Sequence, residues 1–355
     1  MKRTLCRGFV AALMVAAVLV TSTAHAAKKD FKIAWSIYVG WMPWAYAAEA
    51  GIVKKWADKY GITIEVTQIN DYIESINQFT AGKFDGCVMT NMDGLSIPAG
   101  GGVDSTALIV GDFSNGNDGV VMKGASGIKD LSGQSVNLVE LSVSHYLLAR
   151  ALDSVGMSEK DLTVVNTSDA DIVAAFKTED VKAVVTWNPL LSEVAAEPKA
   201  KVLYTSADIP GEIIDMMVVN TETLAQNPDF GKALVGAWYE TMSIMMKNDA
   251  EGKKARTFMA EKSGTDLAGY DAQVATTKMF YDPKSAVEFT NSIELIKTMD
   301  AVRKFLFTHG ILGEGATSPD FVGMAFPKGK TLGDSGNIKL RFDPSYMSMA
   351  ADGKL

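Results

Sequence analysis

Cysteine, histidine and basic side chains are scarce in this 355-residue chain. It has two cysteines and three histidines, and 34 Lys and Arg stand against 42 Asp and Glu. One cysteine, Cys6, precedes the first apolar run, so Cys87 has no partner for an intramolecular disulfide and stability has to come from packing. Histidines at metal-ligand spacing, a Gly-x-Ser-x-Gly elbow and a phosphate-cradling glycine loop are all missing, which removes the motif-bearing hydrolases, zinc enzymes and P-loop proteins. A formal charge of −8 argues against a phosphate-backbone binder, and no nucleic acid, cofactor or metal is expected.

Long apolar runs are also lacking. Phe9–Val20 is twelve residues, short of the roughly 20 that span a bilayer. Lys2, Arg3 and Arg7 precede it and Ala24-His25-Ala26 follows, the layout of a secretory signal cleaved near Ala26, so residues 1–26 are expected to be removed. That segment carries three basic side chains and no acidic one, so the exported chain moves from −8 to −11. The setting of Cys87 in Phe84-Asp85-Gly86-Cys87-Val88-Met89 reads as a buried strand thiol.

What is present is alternation. Short β-rich runs at residues 31–37, 62–68, 84–90, 135–141, 162–166, 182–187, 201–205 and 213–220 are separated by helical patterns, among them 73–79, 169–176 and 233–246. This order predicts α/β architecture with largely parallel sheets. Pro43 suits a helix start. In open α/β sheets ligands gather beyond the carboxyl ends of strands, which brings Tyr38–Trp44, Asn70–Tyr72 and Asn91–Asp93 toward one cleft. Chain crossings between two lobes are expected near Asn115–Gly119 and Met216–Asn220.

Four segments carry a family resemblance: Gly40-Trp41-Met42-Pro43, Ala48-Glu49-Ala50-Gly51-Ile52, Ala81-Gly82-Lys83-Phe84-Asp85, and Gly127 through Gln134. Over about Phe31–Asn220 the chain resembles the periplasmic substrate-binding proteins of ABC importers, in the nitrate/sulfonate/taurine-type group. The resemblance implies a two-lobed type II periplasmic-binding-protein fold with a ligand cleft between lobes and a mainly helical C-terminal region. It divides the chain into a signal peptide (1–26), a first lobe (27–117), a second lobe (118–217), a helical return to the first lobe (218–313) and a C-terminal extension (314–355) read as wrapping the surface.

The cleft candidates are acidic and aromatic: Asp71, Asp93, Glu140 and Asp215 with Tyr38, Trp41, Trp44, Tyr72 and Trp187, while the first-lobe loops lack Lys and Arg. Carboxylates accept the N–H groups of a planar cation and ring faces attract its charge, which suits a guanidinium-like ligand. Asn91, Ser142 and Ser144 supply mixed donors and acceptors that suit urea. Each has a plainer reading. Asp71, Asp93, Ser142 and Ser144 are placed to cap helices, the tryptophans to staple a helix to its lobe, and Glu140 and Asp215 to form hinge ion pairs.

Tyr38-Val39-Gly40-Trp41-Met42-Pro43-Trp44 and Thr90-Asn91-Met92-Asp93-Gly94 are similar, more narrowly, to the branch of that family associated with urea carboxylase and guanidine utilisation. The resemblance implies an exported periplasmic protein, not an enzyme, that carries guanidine first, urea or another amide second, or a sulfonate- or nitrate-type anion. Its partners would be an ABC permease with its ATPase, and it would act as a monomer. A thiamine-pyrimidine-synthase-like enzyme shares the topology but needs a cysteine-rich iron-associated motif that is absent, and a ligand-sensing ectodomain is the third class. If the carboxylate assignment holds, Asp93→Asn weakens a cationic ligand far more than a neutral one, as titration calorimetry would show; equal cation affinity in both proteins would take Asp93 out of the site.

Overall fold

The computed structural model describes residues 28–355, so the expected leader with Cys6 lies outside the described residues. Fourteen strands form two sheets. They are β1 (Asp30–Trp35), β2 (Thr63–Gln68), β3 (Gly86–Thr90), β4 (Ser105–Ser114), β5 (Asp118–Lys123), β6 (Ser135–Leu138), β7 (Thr163–Asn166), β8 (Ala183–Trp187), β9 (Ala200–Thr205), β10 (Ile214–Asn220), β11 (Thr277–Met279), β12 (Gly323–Phe326), β13 (Lys330–Leu332) and β14 (Ile338–Phe342). The larger sheet runs β13-β12-β14-β4-β10-β3-β1-β2 with β11 added to β4, and the smaller runs β7-β6-β8-β5-β9.

The parallel units form where short apolar strands alternate with helices. β1 pairs in parallel with β2 and β3, and β6 with β7 and β8. β3 is buried throughout, Cys87 is its second residue, and burial pushes that thiol up to about 12, which suits a buried strand thiol. The helix Tyr72–Thr80 covers it through Ser75, Ile76 and Phe79. On the larger sheet the helices Met42–Glu49 and Ile52–Lys59 pack against Pro228–Met245, and Phe31 stacks on Phe230 at 4.4 Å.

Two crossings join the lobes built on these sheets. The first is residues 115–117, between β4 and β5. The second comes earlier than expected: β9 ends the smaller sheet at Thr205, and all of β10 pairs antiparallel with β3 and β4 in the larger one. The return therefore falls between Thr205 and Ile214 rather than within Met216–Asn220, because the apolar run Ile214–Val219 fills the slot between two buried strands. At the pivot the Ser114 and Ser206 hydroxyls meet at 2.6 Å, and Ser206 Oγ accepts from the backbone N–H of Gly116 at 2.7 Å.

The C-terminal segment does more than wrap the surface. β14 pairs in parallel with β4 and carries β12 and β13 onto the sheet edge, with Leu340, Met324 and Phe342 buried. Leu340→Ala should lower the free energy of unfolding by about 2–5 kcal/mol, read from denaturant midpoints. A change under about 0.5 kcal/mol, the range of an ordinary surface substitution, would return the segment to a surface role.

Candidate functional site

Strand register assembles the site. Because β10 runs antiparallel to both neighbours, Asp215 at its start lies opposite Thr90 at the end of β3 and opposite Asp112 near the end of β4. In the other sheet Asp118, the first residue of β5, lies opposite Trp187, the last of β8. Both rows face the junction of the lobes. There Tyr38, Trp41, Tyr72, Thr90, Asp118, Val143, Trp187, Ile213 and Asp215 line a small cavity of about 10 Å³, about the room of one water molecule. A second void of the same size lies behind Trp41 and Asp215, walled by Trp44, Gly111, Asp112 and Trp238 among others.

Aromatic rings form the cavity wall. Tyr38 and Trp41 lie 4.9 Å apart, Trp41 and Tyr72 5.6 Å, and Tyr72 and Trp187 5.6 Å edge-to-face. The loop after β1 reaches Asp112 only because position 40 is glycine: a Cβ there would lie 2.7 Å from Asp112 Oδ2 and 2.5 Å from the Tyr38 ring. The lobes are drawn together over the cavity. The Trp187 indole N–H donates to the Ile37 carbonyl at 3.2 Å, the Val39 N–H to the Asn188 carbonyl at 3.3 Å, and the Tyr72 N–H to Asp169 Oδ1 at 3.3 Å.

Four carboxyl groups surround this space, all buried: Asp93, Asp112, Asp118 and Asp215. The Asp93 carboxylate accepts from the Tyr72 hydroxyl at 2.6 Å and the Thr90 hydroxyl at 2.8 Å. Asp112 accepts from the Tyr38 hydroxyl at 3.1 Å and Asp118 from the Ser114 hydroxyl at 2.5 Å. The Asp112 and Asp215 carboxyl groups are hydrogen-bonded to each other, an arrangement that requires a proton between them, and the Asp93 carboxylate also takes a backbone hydrogen bond from Val143. No Lys or Arg is among the described residues lining either void. Burial pushes Asp93 up to about 6 and Asp118 up to about 7, against the hydroxyl donors that hold them down. Burial also raises Asp112 and Asp215, Asp215 further because Asp112 and Asp118 face it.

Of the residues expected from sequence, Tyr38, Trp41, Tyr72, Trp187 and Asp215 line the cavity, and Asp93 reaches it through Tyr72 and Thr90. The others are placed differently. Glu140 is exposed and does not line this cavity: β6 ends at Leu138 and the chain then turns through a left-handed Leu141, φ 62°. Asp71 caps its helix, accepting from the Glu74 N–H at 2.8 Å, and Ser142 caps the next through the Ser144 N–H at 3.2 Å. Asn91 pins the second crossing, its Oδ1 accepting from the Ile214 N–H at 3.0 Å. Trp44 lies behind the site, 5.2 Å from Trp238. The Ser144 hydroxyl is buried without a partner but does not line the cavity. Asp112 and Asp118 were missing from the expected set, although each is an acidic residue in or beside an apolar run.

The NMT1-like family matches residues 24–260. The taurine-binding periplasmic protein of Escherichia coli (strain K12) is 28% identical over 129 residues, 36% of this chain and 40% of that protein, so this chain matches about two-fifths of its length. The alkanesulfonate-binding protein SsuA from Xanthomonas axonopodis pv. citri, solved bound to MOPS, superposes with a TM-score of 0.67 at 15% identity, covering 82% of this chain and 96% of that one. The periplasmic nitrate-binding protein NrtA from Synechocystis PCC 6803 gives 0.58 at 14%, covering 92% and 99%. The two-sheet architecture is thus that of periplasmic binding proteins, as expected.

The carboxyl shifts set the pH dependence of the ligand-free protein. A carboxyl group held above its unfolded value of about 3.9 binds more protons folded than unfolded, so its contribution to stability falls as pH rises. The loss is spread from about pH 4 to about pH 7. Asp215→Asn should therefore raise the melting temperature of the empty protein at about pH 8, where the buried carboxyl is costly. Calorimetric melting that shows the variant no more stable than wild type there would mean the carboxylates are already compensated.

Proposed function

The chain belongs to the NMT1-like family, and from that premise we propose that it is the periplasmic solute-binding component of an ABC importer whose cargo is a small planar cation, guanidinium first. The observation that carries this reading is the set of four buried carboxyl groups with no basic side chain lining the space between them. A cation supplies the missing charge. Guanidinium presents N–H donors on every edge, matching the carboxyl groups of Asp118 and Asp215 that line the cavity, while its flat faces suit the rings of Trp41, Tyr72 and Trp187.

The names of the relatives point to taurine, alkanesulfonate and nitrate. Against carrying those cargoes over stands electrostatics: an anion would enter a small space ringed by carboxylates, with no Arg or Lys to receive it. Urea is the second reading. The Trp41 and Trp238 indole N–H groups, buried without partners, offer donors to a carbonyl, but urea brings no charge to offset the carboxylates.

Transport follows from closure. Tyr72 and Tyr38 stand on the lobe of the larger sheet, Trp187 and Asp118 on the other, so a ligand held among them stabilises the closed arrangement that the membrane permease accepts. Nothing in this action breaks a covalent bond, and no catalytic residue is assigned. The test is titration calorimetry of protein freed of bound solute by unfolding and refolding, against guanidinium, methylguanidine, urea, taurine and nitrate at one ionic strength, with guanidinium kept far below denaturing levels. Saturable guanidinium binding is expected, and Asp215→Asn should weaken it by about 2–5 kcal/mol. Tight binding of taurine or nitrate with silence toward guanidinium overturns the cargo assignment.

A further inference from the structure

Outside the cleft, the two histidines of the described residues meet on one carboxylate. His145 lies on the helix Val143–Asp153 of the smaller-sheet lobe, and Glu159 opens the short turn Glu159–Asp161 of the same lobe. His309 closes the helix Ile293–Thr308, which packs on Asn91–Gly94 of the larger-sheet lobe. Glu159 Oε1 is hydrogen-bonded to His145 Nε2, and its Oε2 lies 2.5 Å from His309 Nε2. The rings are packed: Phe305 lies 4.0 Å from His309 and 4.9 Å from Tyr146, and the two imidazoles are 5.8 Å apart. Opening the lobes separates His309 from Glu159.

Proton positions follow from the partners of the remaining ring nitrogens. The Leu141 N–H donates to His145 Nδ1 at 3.0 Å, so the His145 ring proton sits on Nε2 and is given to Glu159. His309 Nδ1 faces the Phe305 carbonyl at 2.9 Å, which can only accept, and its Nε2 faces the carboxylate, which also accepts. His309 therefore carries two ring protons and a positive charge in the closed protein. The same pattern argues against a metal held by both Nε2 atoms, since His145 would then need a proton on Nδ1, where the Leu141 N–H already points.

We propose that His145, Glu159 and His309 form a proton-dependent latch between the lobes, fastened while His309 is an imidazolium and loosened when it loses a proton. The groups facing His309 are Glu159 from the turn, His145 and Asp153 from the opposite helix and the Phe305 carbonyl from its own; Asp153 also lies 3.9 Å from Arg150. Burial alone would raise Glu159, but the two imidazoles outweigh it and bring the carboxyl down to about 2. Glu159, ahead of an opposing contribution from burial, raises His309 above the ordinary histidine range. The sign follows: a group raised in the closed state favours closure below its open-state value, about 6.5, and that preference is lost as pH rises through the closed-state value. In the empty protein the cage carboxyls, also raised in the closed state, act in the same sense; with a cation bound they act in the opposite sense, holding it better as they ionise.

The latch rests on the lobe closure proposed above but not on the identity of the cargo, and its test separates the two. Small-angle scattering of the ligand-free protein at about pH 6 and about pH 8.5 reads closure without any ligand, and proton NMR of the imidazoles reads His309 itself. Wild type should shift toward the open form at the higher pH by clearly more than His309→Gln, in which only the cage carboxyls, also raised in the closed protein, still favour opening. Glu159→Gln should return His309 toward about 6.5. Each unit by which closure raises His309 corresponds to about a tenfold change in the closed-to-open ratio across the titration. Identical scattering profiles in wild type and His309→Gln, or a His309 that titrates in the closed form as an unperturbed histidine does, would overturn the latch. Should a variant misfold by circular dichroism, the wild-type His309 titration decides alone. Absence of guanidinium binding would count against the cargo and leave these readouts standing.

Discussion

A carboxylate taken out of water has to be paired, protonated or strained against its neighbours, and Asp93, Asp112, Asp118 and Asp215 are all taken out of water around one small space. Hydroxyl groups from Tyr38, Tyr72, Thr90 and Ser114 each satisfy one acceptor and supply no charge. Much of the surrounding architecture serves to hold that arrangement. The antiparallel insertion of β10 sets Asp215 beside Asp112, Gly40 lets the aromatic loop come down onto them, and the opposite lobe brings Asp118 and Trp187. An unfilled cage of this kind destabilises the fold, and a cation of the kind proposed above would regain that free energy as affinity.

The same carboxylates are tied to the pivot. Asp118 is the first residue after the first crossing and accepts from Ser114, whose hydroxyl meets Ser206 at the start of the second crossing. Charge at the ligand position and geometry at the hinge are thus one hydrogen bond apart. On another part of the lobe junction, Glu159 holds His309. The cage gains affinity as pH rises and the latch loses grip, so the two opposing titrations favour capture over a middle range of pH.

Much of this was legible in the sequence, for identifiable reasons. Trp187 and Asp215 stand at ends of strongly apolar strands, where α/β topology places ligand contacts, and both line the cavity. Asp112 was not visible because Ser105–Val110 is a buried run without alternation and was not read as a strand, so its acidic residue had no face to occupy. Asp118 was hidden in a polar stretch that looked like linker. Asp71 and Ser142 were read as ligand contacts because a cap and a ligand contact use the same side chains at the same position before a helix, and only coordinates separate them. Glu140 was lost to a left-handed turn at a leucine, which composition does not announce. The C-terminal strands were missed because pairing with β4, with Leu340 opposite Ser105 about two-thirds of the chain away, leaves no local pattern.

The central claim is that the cage is charged by its ligand. Titration calorimetry of guanidinium at about pH 6.5 in buffers of different ionisation enthalpy counts the protons that leave as the ligand enters. Carboxyl groups raised by burial should give up protons to the buffer as the cation replaces them, a release of about one proton or more per site. In His309→Gln, where closure takes up no proton at that position, binding with no proton release, or with uptake, would contradict a ligand-charged cage.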